Sequence, residues 1–349
     1  MSRVTLRWTA EENVAPAQAL ATGAVLLDDV ADAASPAAVL YGAGLADDTV
    51  VLGHWQRAAH ALDGDACAER GVSVLRRSTG GPTARAGDGV VYFALALRHA
   101  SVLMGCPPDR VLNRNLRGLL GGLSSGGAAA HYFGREWLSV ARRPVALVGW
   151  DRLSDGRVLV EAFVAHARSF VPDAGLGGYP KPATERFLGK EPITLAEASG
   201  REPPIEQLVR WVAEGHPARF GSDVSIEQSS LTDDQRSRAR ERKDGFLWQP
   251  DERRLHLAWS PPIEIPIGWL AAGVRTDESG LVADVDVAGD FYQDHAAPDA
   301  LRARLVGHAP SAELYAEAVN ATWDGSKHVI EGLKSLEPIR EALLRAAPG

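Results

Sequence analysis

The run Gly89-Val90-Val91-Tyr92-Phe93-Ala94-Leu95-Ala96-Leu97 constrains the fold more than any other stretch of this chain. A strand with one wet face alternates apolar and polar residues. This run is apolar throughout, so it is predicted to lie inside a sheet that is covered on both faces. Around it, short apolar runs alternate with glycine-rich breaks. Thr49-Val50-Val51-Leu52-Gly53 reads as one strand and residues 71–76 (GVSVLR) as another. Residues 137–141, 145–150 and 157–165 add three more, with Asp155-Gly156 as the hairpin turn between the last two. Residues 109–123 read as a helix. Pro108 and Asp109 stand at its start, and Val111, Leu112, Leu116, Leu119 and Leu120 form its apolar stripe.

The second half changes character. Residues 173–200 are rich in glycine and proline and read as a long loop with one short helix. Residues 203–216 read as a helix with Ile205, Leu208, Val209 and Val212 on one face. Residues 231–243 (LTDDQRSRARERK) are dense in charge of both signs and read as a solvated helix or linker. A boundary is therefore placed there: a larger domain over 1–230, a charged linker over 231–244 and a second domain over 245–349. In the last part, residues 245–259 read as a pair of short strands around Pro250-Asp251. Residues 268–274 and 281–287 flank the turn Asp277-Glu278-Ser279-Gly280, and helices follow at 298–306, 311–323 and 338–346. The predicted fold class is α+β, a mixed and mostly antiparallel sheet with packed helices plus a small α+β accessory domain.

Composition narrows the chemistry. The net charge of -8 opposes nucleic-acid binding, which needs a basic stripe. No run of about 18 apolar residues marks a membrane span, and no apolar segment follows Met1-Ser2-Arg3-Val4 to suggest a secretory signal. Two cysteines, Cys67 and Cys106, suit buried thiols in a reducing, cytoplasmic setting. The ten histidines lack zinc-type spacing, so no metal is expected. The lysines are Lys181, Lys190, Lys243, Lys327 and Lys334, so the chain has none before Lys181.

The segment most suggestive of a site is Arg76-Arg77-Ser78-Thr79-Gly80-Gly81. A strand that ends in two arginines and opens into a small-residue loop suits an acyl-phosphate. Glycine amides approach an anion closely, and arginine adds forked donors. The bare motif is more often an ordinary turn after a strand.

Its context resembles the lipoate-protein ligase family. Val39-Leu40-Tyr41 through residues 48–53 look like that family's opening strands, and residues 67–97 like its helix, arginine-glycine loop and return strand. Residues 194–221 resemble the segment that closes the family's larger domain, and residues 268–305 the accessory domain of its two-domain members. The resemblance implies ATP and lipoate or octanoate as ligands, an acyl-adenylate, and transfer to a lysine of a lipoyl-type carrier domain. By position, Arg76, Arg77, Ser78, Gly80 and Gly81 would hold the phosphate and acyl carbonyl. Gly134, Arg135 and Val145 would face the nucleotide and acyl side, with an apolar tunnel near Val74 and Phe93.

The chain also departs from the pattern. Pro82 replaces a third glycine and removes an N–H donor. Ala86-Gly87 stand for a His-Asp pair, and Glu136-Trp137 for the Asn-Asp of Gly-Arg-Asn-Asp. Pro144 stands where the family keeps its lysine. Losing one such fixed donor costs about 2.7–4 kcal/mol of transition-state stabilisation. Arg143 is the nearest substitute cation, but one step along a strand turns a side chain to the other face. Two readings stand: a divergent ligase that retains the acyl chemistry, and a degenerate relative that binds an acyl group, a carrier domain or another protein. The first expects cations converging near Gly80; the second expects Trp137 or Pro82 to fill that space.

Overall fold

The computed structural model describes residues 4–173, 175–176, 187–218, 224–249 and 252–346. Lys181 and the Pro250-Asp251 turn therefore lie outside the described residues. The strands of the first part are β1 (Val4–Val14), β2 (Ala38–Leu45), β3 (Thr49–Leu52), β4 (Ser73–Arg76), β5 (Ala84–Ala86), β6 (Val90–Leu97), β7 (Ala130–Tyr132), β8 (Trp137–Val140), β9 (Arg143–Arg152), β10 (Val158–Ala165) and β11 (Val224–Gln228). Those that follow are β12 (Ala258–Trp259), β13 (Ile263–Ile265), β14 (Gly268–Thr276), β15 (Val282–Gly289), β16 (Tyr292–Gln293) and β17 (Ile330–Glu331).

Eight strands form the main sheet in the order β11-β1-β2-β6-β10-β9-β8-β7. The β1 strand runs parallel to β2 and β11, and the remaining neighbours pair antiparallel. The apolar run singled out in the sequence is β6. All eight of its residues are buried, as a central strand covered on both faces requires. Its alternate residues enter two separate cores: Val91, Phe93 and Leu95 pack with Val148 and Trp150, whereas Tyr92, Ala94 and Ala96 pack with Leu20, Leu147 and Phe163. The Pro16–Asp29 helix covers the second face. The Arg117–Ser125 and Ile205–Ala218 helices are packed against each other on the first. A smaller sheet (β4-β3-β5) presents the arginine-glycine loop at the end of β4.

The second part contains the predicted β14–β15 hairpin and helices at Ala297–Leu305, Ala312–Thr322 and Glu337–Ala346. The architecture is α+β with mostly antiparallel pairing. Three details differ from the sequence reading. The helix expected over 109–123 is broken into Pro108–Arg110, Val111–Asn115 and Arg117–Ser125, with Leu116 joining the last two. The strand pair expected over 245–259 is instead a 3-10 turn at Lys243–Phe246, a short helix at Glu252–Leu255 and only two strand residues in β12. Proline and charged residues there oppose a ladder. The sequence reading also passed over β1 and the Pro16–Asp29 helix, whose apolar residues are spread by alanines and glycines and give weak periodicity.

The charged segment is ordered as the Asp233–Arg242 helix. It has little apolar face, so ion pairs hold it to the Pro16–Asp29 helix: Arg238 to Asp29 at 2.6 Å and Arg242 to Asp28 at 2.5 Å, with Arg236 reaching Glu11. Its first turn is closed by a capping box between Thr232 and Gln235. Thr232→Ala should destabilise this helix by about 1 kcal/mol. Faster hydrogen exchange confined to residues 233–242 would be the readout; unchanged protection there would refute this account of the helix.

Candidate functional site

The arginine-glycine loop turns inward. Arg77 is fully buried, and two of its three nitrogens find partners inside the chain: Nε donates to the Thr79 hydroxyl at 3.0 Å, and Nη2 to the carbonyls of Gly80 (2.8 Å) and Pro82 (2.9 Å), while Nη1 has no hydrogen-bond partner among the described residues. The Thr79 hydroxyl donates to Glu161 Oε2, and the Tyr92 hydroxyl donates to Oε1 at 2.5 Å. A buried cation thus faces a buried carboxylate through one hydroxyl. Burial raises the Glu161 carboxyl above its ordinary value, and the Arg77 guanidinium opposes that shift. Burial also lowers the Arg77 guanidinium, while Glu161 raises it. The Tyr92 phenol is raised by burial and then by Glu161. Glu161 was missed in the sequence, although a lone acid in the apolar run VLVEAFVA was the available signal.

The two glycine amides are engaged as well. The Gly80 N–H donates to Trp150 O at 3.2 Å and the Gly81 N–H to Phe291 O at 2.9 Å. Gly81 sits at φ +92°, and a methyl group there would meet the Tyr292 ring at 2.5 Å. Tyr292 in turn donates to Val148 O at 2.9 Å. The loop is therefore roofed by the segment between β15 and the Ala297–Leu305 helix. Residues 290–295 are fixed along their length. Asp290 accepts from Gln56, Asp294 forms a two-pronged pair with Arg152 (2.5 and 2.7 Å), and His295 Nδ1 lies 3.2 Å from Asp151. His295 is raised by that bond to Asp151. The neighbouring His54 is pushed down to about 3 by burial and then by His295, Arg76 and Arg254.

The remaining predicted residues disperse. Arg76 donates to the carbonyls of Gly53, His54 and Gln56 and so ties the loop to the segment after β3. Ser78 is half-buried beside it, and Val145 is an apolar core residue of β9. Gly134 occupies a turn at φ +73°. Arg135 pairs with Glu136 at 3.2 Å and lies over the Trp137 ring. Arg143 donates to the carbonyls of Glu191 (2.9 Å) and Pro192 (2.6 Å). It lies seven positions before Trp150 on β9, about 23 Å along an extended strand, so Arg143 is not brought to the glycine loop. Trp137 packs on Phe187, and Pro82 offers its carbonyl to Arg77. The residues covering the loop are Phe291 and Tyr292, which the sequence reading did not single out. Nothing in Gly-Asp-Phe-Tyr-Gln-Asp advertises a cover.

The two glycine amides that would cradle a nucleotide phosphate donate within the chain, and Tyr292 stands against Gly81. Two measurements test the electrostatics. Arg77→Met should cost about 3–5 kcal/mol in denaturant unfolding, because it strands a buried carboxylate; a loss under 1 kcal/mol would contradict the Arg77–Glu161 account. Glu331, opposite Tyr292 in the β16–β17 pair, is raised by burial from 4.5 to about 7, with Trp150 and the Val111 amide opposing. The folded chain then holds this proton more tightly than the unfolded one. Stability should fall as pH rises from 4.5 through about 7, and Glu331→Gln should flatten that slope.

Residues 15–158 match the family profile described as Lipoyl protein ligase A/B catalytic domain. None of the curated proteins matches the chain in sequence. Among solved structures, P. falciparum LipL1 in complex with lipoate is similar over 97% of this chain and 99% of its own, at 14% identity and a TM-score of 0.68. The bipartite lipoate protein ligase of Thermoplasma acidophilum, from a study of the ligase and its E2 lipoyl domain, covers 71% of this chain and 99% of its own, at 15% identity and a TM-score of 0.56. A lipoate-protein ligase A bound with ATP covers 70% of this chain and 95% of its own, at 15% identity and a TM-score of 0.53. The likeness extends through both parts of the chain in the first case and is one of fold.

Proposed function

From a chain whose residues 15–158 match a lipoyl protein ligase catalytic domain, we propose a catalytically degenerate relative of the lipoate-protein ligases. It keeps the scaffold to bind a protein partner of the lipoyl-carrier type and does not make an acyl-adenylate. The observation that carries this reading is the roof over the glycine loop: Gly81 N–H bonded to Phe291 O, and Tyr292 seated against Gly81. Pro144 supports it, since no ammonium can arise there, and the Arg143 guanidinium is committed to two backbone carbonyls. Absence of one fixed cation alone lowers such chemistry by roughly a hundred- to thousand-fold. The carrier-type partner is suggested by the archaeal ligase, whose structure was determined together with work on its E2 lipoyl domain.

The competing reading is a working ligase that transfers lipoate or octanoate through an acyl-adenylate. It requires the roof to lift and a cation to enter. The deciding experiment incubates the protein with ATP, lipoate or octanoate, and a lipoyl carrier domain. The expected outcome is no acyl-adenylate, no pyrophosphate and no acylated carrier, with carrier binding detectable by calorimetry without ATP. Acyl-adenylate at a rate near that of an ordinary ligase would overturn the proposal.

A further inference from the structure

The segment over the glycine loop closes against an unfavourable polar balance. Gln293 in β16 is fully buried, and neither atom of its side-chain amide has a partner among the described residues. Glu331 stands opposite Tyr292 in β17, and its Oε1 is likewise buried without a partner. At the other end of the segment Asp151 is 2% exposed. His295 Nδ1 lies 3.2 Å from its Oδ2, while its Oδ1 has no partner among the described residues. A buried polar atom without a hydrogen bond favours any state in which water reaches it. The β16–β17 ladder that resists this is two residues long.

We propose that residues 290–295 are a proton-operated strap, shut over Gly80 and Gly81 while His295 and Glu331 hold their protons and lifted from the loop when they lose them. The reason at each end is the same. A neutral His295 leaves the Asp151 carboxylate buried without a countercharge. An ionised Glu331 places a charge in the seam, facing Tyr132 and Tyr292, with no cation paired to it among the described residues. Opening frees the Gly81 amide from Phe291 O. The strap operates in the same way over a catalytic or an inert loop, so it does not rest on the proposed function.

The groups packed around each end set the direction. His295 faces Asp151 on β9, Asp299 on the Ala297–Leu305 helix and His54 after β3, with the Arg152–Asp294 pair beside it. Its bond to Asp151 raises it above the usual 6.5. Glu331 faces Trp150, the Val111 amide, Asp109 and Arg110, with Cys106, Tyr132 and Tyr292 close enough to be shifted by its charge. Burial raises it from 4.5 to about 7, and burial also raises Asp151. All three groups hold a proton more tightly when the strap is shut, so closure weakens as pH rises through these values. His54 acts in the opposite sense. Burial, then His295, Arg76 and Arg254, push it from 6.5 down to about 3, so the shut strap denies it a proton in acid. Closure therefore gains as pH falls to 6.5 and levels off below it, where Glu331 and His54 oppose each other.

The test follows amide hydrogen exchange of the full chain by mass spectrometry at about pH 6.5 and about pH 8.5, with the intrinsic pH dependence of exchange divided out. Protection is expected to fall about tenfold or more at the higher pH in peptides containing residues 79–81 and 290–295, and to change by less than about twofold in β6 and β10. The double variant His295→Arg, Glu331→Gln keeps a charge at one end and a neutral group at the other, so its strap is expected to stay protected at both pH values. Glu331→Gln alone is the milder change and is expected to recover part of that protection, which keeps the account testable if the double variant does not fold. Unchanged protection across the two pH values, a loss shared equally by β6 and β10, or a full pH response in a folded variant would each overturn the proposal.

Discussion

Burying the Arg77 guanidinium obliges the chain to supply its acceptors from within, because an unpaired buried charge costs several kcal/mol. The rest of the site follows. Thr79 must stand beside Nε and relay to Glu161, so the loop bends toward β10. The carbonyls of Gly80 and Pro82 face Nη2, and because the Gly80 carbonyl and the Gly81 N–H share one trans peptide, the Gly81 amide points away from Arg77 to Phe291, while the Gly80 amide donates to Trp150. The Arg77 interaction therefore fixes the shape of the loop.

The roof depends on that inward turn. Tyr292 can approach Gly81 only because that residue lacks a Cβ and takes a positive φ. The approach is then secured on both sides by Gln56–Asp290 and Arg152–Asp294. These are paired, largely buried groups at the seam between the two parts of the chain, and one apolar core runs across that seam. Val148 and Trp150 belong to the same cluster as Phe291 and Tyr292. Lifting the segment would expose that apolar surface and break the Arg152–Asp294 ion pair and the Gln56–Asp290 hydrogen bond together, so the closed arrangement is cooperative rather than a loose cover.

Much of this was legible in the sequence where periodicity was strong. The uniformly apolar β6, the Asp155-Gly156 hairpin and the β14–β15 pair gave clear signals because their patterns admit few alternatives. The arginine-glycine loop was found but its orientation was not. Whether an arginine faces a ligand or its own chain depends on Glu161, 84 residues away in sequence, and local spacing carries no such information. Phe291 and Tyr292 escaped for the same reason: a short Phe-Tyr pair becomes a roof only through contacts with β9. The Pro16–Asp29 helix and the Lys243–Phe246 turn were obscured instead by composition, alanine-rich in one case and charged in the other.

Four of the positions that depart from the ligase pattern, Pro82, Glu136, Trp137 and Pro144, each have a structural task. Pro144 pairs with Ser139 where the β8–β9 register shifts, a place that tolerates a residue without an N–H, and its carbonyl accepts from Ile193 at 2.8 Å. Pro82 holds Arg77 through its carbonyl, Glu136 receives the Val148 N–H through its own, and Trp137 packs on Phe187. Restoring a lysine at Pro144 would leave the Gly80 and Gly81 amides engaged and the roof in place, and it would put the new ammonium six residues of β9 away from Trp150, about 20 Å along the strand. The arrangement at the glycine loop is thus set by a connected set of backbone bonds and buried charge rather than by any one side chain.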